Sequence, residues 1–137
     1  MNRQYWGGNV AALGMIVLLS MSGAARAGNK NWKAATSGDW FTGSNWAEGS
    51  IPEAGDVVVI SSSGSFISLT NATPELTSFR LSAGTLVFSN WLTRVSATNV
   101  TVNGGKVTVA NAFAEGQMSN RVWFVCANDF TLTNGSI

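Results

Sequence analysis

Apolar and polar residues alternate along most of the chain after residue 75. In one stretch the apolar positions are Leu76, Phe79, Leu81, Leu86 and Phe88, and Thr and Ser occupy many of the places between them. This spacing is typical of short strands that have one buried and one solvated face. No window beyond residue 27 has apolar residues at helical spacing together with helix-forming composition. The pattern therefore predicts an all-β domain.

An eight-residue pattern occurs three times in this region. Each copy has apolar residues at its first, third and eighth positions and a glycine at its sixth, and the three glycines are Gly84, Gly105 and Gly135. Their intervals of 21 and 30 residues (105 − 84 and 135 − 105) predict a right-handed parallel β-helix, in which a glycine with positive φ recurs at one corner of each coil. A loop over residues 112–120 would account for the longer interval. A β-sandwich is the alternative, because its strands have similar lengths.

The N-terminal residues predict export. Arg3 supplies a positive charge, Val10–Ser22 is an apolar stretch too short to span a bilayer comfortably, and Ala25–Ala27 is a small-residue cleavage motif. Residues 1–27 are therefore predicted to be a signal peptide, and cleavage would leave Gly28 as the first residue. An uncleaved membrane anchor is the alternative. With cleavage, the protein is predicted to be secreted or to lie at the cell surface.

Composition narrows the possible chemistry. The chain has no histidine and only one cysteine, Cys126, so His-dependent catalysis and thiolate zinc sites are excluded. Cys126 lies in an apolar run and is predicted to be a small core residue. The seven acids are scattered, and we predict no metal, no cofactor and no enzymatic activity in this chain. Eight basic residues without a cluster do not give the electrostatic footprint of a nucleic-acid-binding protein.

Residues 28–55 are rich in Trp and Gly and are predicted to form an N-terminal cap on coils over residues 56–137. Trp32, Trp40 and Trp46 would cover the first coil. The alternative is a carbohydrate-binding platform, because indole rings stack on the apolar faces of sugars. Asp56 precedes a β-branched run predicted to be buried on both faces. Its carboxylate is expected to accept backbone N–H groups in a turn, with calcium binding as the alternative.

One segment contains the residues Gly38-Asp-Trp40, Asn45-Trp46, Gly49, Pro52 and Gly55-Asp56-Val-Val-Val-Ile60. It resembles the opening of secreted bacterial proteins built from autotransporter-associated β-strand repeats. Those proteins are pectin-lyase-like β-helices. The resemblance implies a surface-exposed passenger, often adhesive and sometimes active on polysaccharides. This chain lacks the translocator barrel of that family, and we expect it to be the N-terminal part of a longer protein.

These observations favour a non-catalytic structural or adhesive start of a secreted or surface-displayed β-helical protein. The alternatives are the N-terminal part of a polysaccharide lyase or hydrolase with catalytic coils beyond residue 137, and a carbohydrate-binding module. The expected partners are extracellular polysaccharide or cell-surface glycans. Self-association is also expected through the open C-terminal coil, where Phe124, Phe130 and Leu132 would lie near an unpaired edge.

Overall fold

The computed structural model describes residues 27–111 and 120–137, so residues 1–26 of the predicted signal peptide and residues 112–119 of the predicted loop lie outside the described residues. The described part confirms the all-β prediction, with one 3-10 helix at Gly43–Asn45. Its nine strands are β1 (Asn29–Asn31), β2 (Gly38–Asp39), β3 (Val57–Ile60), β4 (Phe66–Leu69), β5 (Glu75–Leu81), β6 (Thr85–Phe88), β7 (Val95–Val102), β8 (Lys106–Val109) and β9 (Phe124–Leu132).

The strands form two sheets in which every neighbouring pair is parallel. The five odd-numbered strands form one sheet in the order β1-β3-β5-β7-β9, which we call the long sheet. The four even-numbered strands form the short sheet in the order β2-β4-β6-β8. Successive strands along the chain therefore alternate between the two sheets. The segment predicted as a cap, residues 28–55, already contributes the first strand of each sheet.

Strand register explains why the repeated pattern is visible in the sequence. In the long sheet, Val58 pairs with Phe79, Phe79 with Val100, and Val100 with Phe130. In the short sheet, Ile67 pairs with Leu86 and Leu86 with Val107. Except for Phe130, these side chains are almost fully buried in a single core. Equivalent positions of successive copies thus stack on one another.

Strand β3 differs in part from its prediction. It begins at Val57, directly after Asp56, but only Val58 and Ile60 are fully buried, whereas Val57 and Val59 are half-buried. Parallel sheets are usually covered on both faces by helices, which makes their strands apolar throughout. The described residues supply no such covering helix, so the outward face of β3 stays partly accessible.

The predicted glycine corner is present in two of the three copies. Gly84 has φ +82° and Gly105 has φ +68°, a backbone conformation that favours glycine. In the third copy the left-handed residue is Asn134, with φ +48°, one position before Gly135. Gly135 is required there for space, because a Cβ atom would lie 2.7 Å from Cγ1 of Val102.

Candidate functional site

Three tryptophans pack together beside the first strands of the two sheets. Trp40 and Trp46 are fully buried and Trp32 is 4% exposed. The ring of Trp46 lies edge-on to both others, with centroid distances of 5.0 Å to Trp32 and 4.9 Å to Trp40. We call these residues the Trp cluster. Its burial favours the cap interpretation, because a sugar can stack only on an accessible ring face. Sugar binding by these three residues stays a prediction.

Hydrogen bonds fix the Trp cluster unequally. Nε1 of Trp46 donates to the backbone carbonyl of Trp40 at 2.7 Å, and Nε1 of Trp32 donates to the carbonyl of Thr36 at 2.9 Å. Nε1 of Trp40 is buried and has no partner among the described residues. A buried donor without a partner costs about 1–3 kcal/mol. Within residues 27–111 and 120–137, the Trp40 indole is therefore held by packing alone.

Glu48 ties the loop after Trp46 to strand β1. Its two carboxylate oxygens accept hydrogen bonds at 2.9 Å from the backbone N–H and from Nδ2 of Asn31. Desolvation opposes ionisation of Glu48, but these hydrogen bonds and the charge of Lys30 outweigh it and lower the pKa of Glu48 below its ordinary value. The carboxylate is thus held in its charged form near neutral pH.

Asp56 is a buried turn residue, as predicted. Its Oδ1 accepts from the backbone nitrogen of Gly28 at 2.7 Å, and its Oδ2 accepts from that of Glu53 at 2.8 Å. The side chain is 5% exposed, and Nζ of Lys30 lies 4.0 Å from Oδ2. Among the residues that the structure describes, no group of three His, Cys, Asp or Glu side chains could hold a metal ion. The backbone donors confirm the turn interpretation of Asp56.

A groove of about 520 Å³ crosses the beginnings of β5, β7 and β9 on the long sheet. Its floor includes Glu75, Ser96 and Val125, which are paired in register across the three strands. The volume falls within the range of about 300–1,000 Å³ that is common for small-ligand sites. The full lining consists of Thr73, Pro74, Glu75, Arg94, Ser96, Ala97, Trp123, Val125 and Ala127.

One end of the groove carries stacked arginine and tryptophan side chains. The guanidinium carbon of Arg121 lies 3.9 Å from the Trp123 ring centroid and 4.4 Å from that of Trp91. Arg94 lies over Trp123 as well, at 5.4 Å. Nε of Arg121 also donates to the carbonyl of Trp91 at 3.0 Å. We call these four residues the Arg–Trp stack. The hydrogen bond and the ring contacts orient the guanidinium of Arg121.

The groove and the Arg–Trp stack have the components of a binding site. Trp123 supplies an aromatic surface, and Arg94 and Glu75 supply polar groups of opposite charge. Apolar and aromatic walls with a few placed polar groups are typical of small-ligand and saccharide sites. Among the acids that the structure describes, Glu75 alone lines this groove, and glycoside hydrolysis uses a pair of carboxylates. The arrangement is suited to binding.

Sequence reasoning did not single out any member of the Arg–Trp stack. The sequence does contain a signal. Trp91 and Arg94 precede β7, and Arg121 and Trp123 precede β9 in the same way. The interval from Trp91 to Arg121 is 30 residues, the same as the interval from Gly105 to Gly135. When the sequence is aligned at that interval, the two Trp and Arg pairs precede neighbouring strands of the long sheet. Applying the glycine spacing to the aromatic residues would have placed Trp91 near Arg121, but it would not have shown the groove.

Strand β9 closes the long sheet on one side. Phe130 and Leu132 are 44% and 46% exposed, although their register partners Val100 and Val102 are fully buried. Cys126 is half-buried and packs against the core, in partial agreement with its prediction, and its Sγ donates to the carbonyl of Asp129 at 2.9 Å. An apolar surface therefore lies along the edge of β9, which pairs with no further strand among the described residues.

Across residues 27–111 and 120–137, no helix has the length and apolar character needed to cross a membrane. A family model, the G8 domain, matches residues 45–127, which is more than half of the chain. No curated protein matches the chain, and no solved structure matches it. The comparisons give no evidence of autotransporter-associated or pectin-lyase-like repeats.

Proposed function

Because this chain belongs to the G8 domain family, an extracellular-type β domain, we propose that it is a non-catalytic adhesive module of a secreted or surface-displayed protein. In this proposal the groove on the long sheet binds extracellular polysaccharide or cell-surface glycans. The predicted signal peptide supports export, and the G8 match supports the same compartment. The function is contact with a ligand rather than its conversion.

We also propose that the two sheets are successive faces of a parallel β-helix. Two observations support this architecture: every neighbouring strand pair is parallel, and consecutive strands alternate between the long and short sheets. Backbone corners stack as well, since the N–H of Lys106 donates to the carbonyl of Gly84 and that of Ser136 to the carbonyl of Gly105. A β-helix of this kind is rigid along its axis and is suited to present a binding face.

The observation that carries the binding proposal is the oriented Arg–Trp stack at the end of the groove. Arg121 is held between Trp91 and Trp123, so little side-chain entropy remains to be lost when a ligand binds. In this proposal a sugar ring packs against the part of Trp123 that lines the groove, and Arg94 offers hydrogen-bond donors to hydroxyl or acidic groups. The Trp cluster, by contrast, has no comparable accessible surface.

A glycan array with the exported protein tests this function. We expect one or more saccharide classes to bind, and Trp123→Ala to reduce affinity by about fivefold to a hundredfold, taking the roughly 1–3 kcal/mol that a base gains by stacking on an aromatic ring as the scale. Arg94→Gln should reduce affinity as well. Phe66→Ala is the matched control, because Phe66 is an aromatic residue 60% exposed on β4 of the short sheet.

Three outcomes separate the alternatives. Loss of binding in Trp123→Ala with retention in Phe66→Ala supports the groove. Equal binding by wild type and Trp123→Ala would contradict it. Loss of binding on substitution of Trp40, in a variant that keeps its unfolding midpoint, would transfer the site to the Trp cluster.

A further inference from the structure

The first residue after the predicted cleavage site is bound to a buried acid. Backbone nitrogen of Gly28 lies 2.7 Å from Oδ1 of Asp56, and the carbonyl of Gly28 accepts from the N–H of Val57 at 2.8 Å. Gly28 is therefore held on both sides at the start of β1. Ala27, the preceding residue, is exposed. The bond between Ala27 and Gly28 thus separates an exposed residue from an anchored one.

The charge of Asp56 is poorly compensated within the described part of the chain. The carboxylate is 5% exposed and accepts two backbone hydrogen bonds, but its nearest cation, Nζ of Lys30, is at the 4.0 Å limit of an ion pair. That Nζ also donates to Oγ of Ser50 at 2.6 Å. Burying a carboxylate is costly unless it is paired and hydrogen-bonded. A closer positive charge would remove much of that cost.

We propose that removal of the leader after Ala27 supplies this charge, and that Asp56 is the binding site for the new N-terminal ammonium group of Gly28. A signal peptidase hydrolyses the Ala27–Gly28 amide with one water molecule. The leader keeps the Ala27 carboxylate, and the released Gly28 amine takes a proton from solvent. The nitrogen that donates one N–H as an amide then carries a positive charge and three donors at the same position.

The consequence is that processing and folding are coupled. A chain that keeps its leader places a neutral amide against Asp56, whereas the processed chain places an ammonium there. Strand β1 and Asp56 begin the long sheet, so the pair joins the first strand to the turn before β3. The processed form is the more stable of the two. This inference goes beyond the proposed glycan binding and does not depend on it.

The test uses exported, processed protein, whose first residue is determined by N-terminal sequencing. The α-amine is acetylated in urea near pH ~6.5, where lysine amines with pKa about 10.4 are protonated, and the protein is refolded. We expect acetylation to reduce the folding equilibrium constant of the wild type about tenfold, measured by urea unfolding. In Asp56→Asn, acetylation should change it little. Lys30→Gln is the matched control and should keep the tenfold loss.

A second measurement covers the case in which Asp56→Asn does not fold. The acetylation rate of the Gly28 amine is compared in native and urea-unfolded wild-type protein. Pairing that raises the amine pKa by about one unit would slow the native reaction about tenfold. Equal rates in the two states, or equal losses in wild type and Asp56→Asn, would overturn the pairing. Protein that begins at a residue other than Gly28 would overturn the processing step, whatever the glycan array shows.

Discussion

Replacing Trp40 and Trp46 one at a time by phenylalanine separates hydrogen bonding from packing in the Trp cluster. Both indoles are fully buried, and their rings are in edge-on contact at 4.9 Å. Each substitution deletes the Nε1–H group and part of the indole ring. Only Trp46 loses a hydrogen bond, since its Nε1 donates to the carbonyl of Trp40, whereas Nε1 of Trp40 has no partner in the described part of the chain.

The expected magnitudes follow from these contacts. Removing part of a buried ring leaves a cavity that costs about 1–2 kcal/mol at either position. Trp46→Phe also loses a buried hydrogen bond, whose net contribution is about 1 kcal/mol and whose unpaired carbonyl costs more. Trp40→Phe removes a buried donor that has no partner among the described residues, and this removal offsets part of the cost of the cavity. We expect Trp46→Phe to be less stable than Trp40→Phe by about 1–2 kcal/mol, and Trp46→Ala to cost about 3–5 kcal/mol.

Urea unfolding of the exported protein measures these differences. The midpoint should fall in the order wild type, Trp40→Phe, Trp46→Phe, Trp46→Ala, with an unchanged m-value if all variants unfold in one step. Glycan binding by Trp40→Phe should equal that of the wild type. The reasoning is refuted if Trp40→Phe is as unstable as Trp46→Phe, because the hydrogen bond would then contribute nothing that packing does not.

Three further predictions concern other parts of the molecule. The pKa of Glu48 is lower in the folded than in the unfolded protein, so its contribution to stability is present above the unfolded-state pKa and is lost as the pH falls through the folded-state pKa. Between pH ~6 and ~3 the urea midpoint should therefore fall less in Glu48→Gln than in the wild type. Equal slopes in the two proteins would contradict this. Gly105→Ala should lower the thermal midpoint more than Gly64→Ala. Both glycines have positive φ, but a Cβ atom at Gly105 would lie 2.7 Å from the carbonyl oxygen of Gly84, whereas a Cβ atom at Gly64 would meet nothing within 4 Å. Because β9 is an edge strand with exposed apolar residues, sedimentation should show self-association of the wild type that weakens in Phe130→Ser. A wild-type monomer at tens of micromolar would refute this.

The sequence by itself determined the all-β class and most of the core. Alternation placed Leu76, Phe79, Leu81, Leu86 and Phe88 inside, and all five are buried. Parallel stacking explains this success, because equivalent residues of successive copies meet in register and the pattern is therefore local and repeated. The glycine corners were visible for the same reason. The four β-branched residues of β3 do not alternate with polar ones, so the burial of Val57 and Val59 was overestimated.

Only the tertiary structure decided which residues surround the groove. Arg94 and Trp123 are 29 residues apart and pack together because β7 and β9 pair, with Val95 opposite Phe124. Likewise, Asp56 meets the backbone of Gly28 because β1 and β3 are neighbours. Such contacts depend on which strands pair and in which register, and register is set by the whole core rather than by any one segment. Periodicity therefore predicts the all-β class, while the residues that meet on its surface follow from strand pairing.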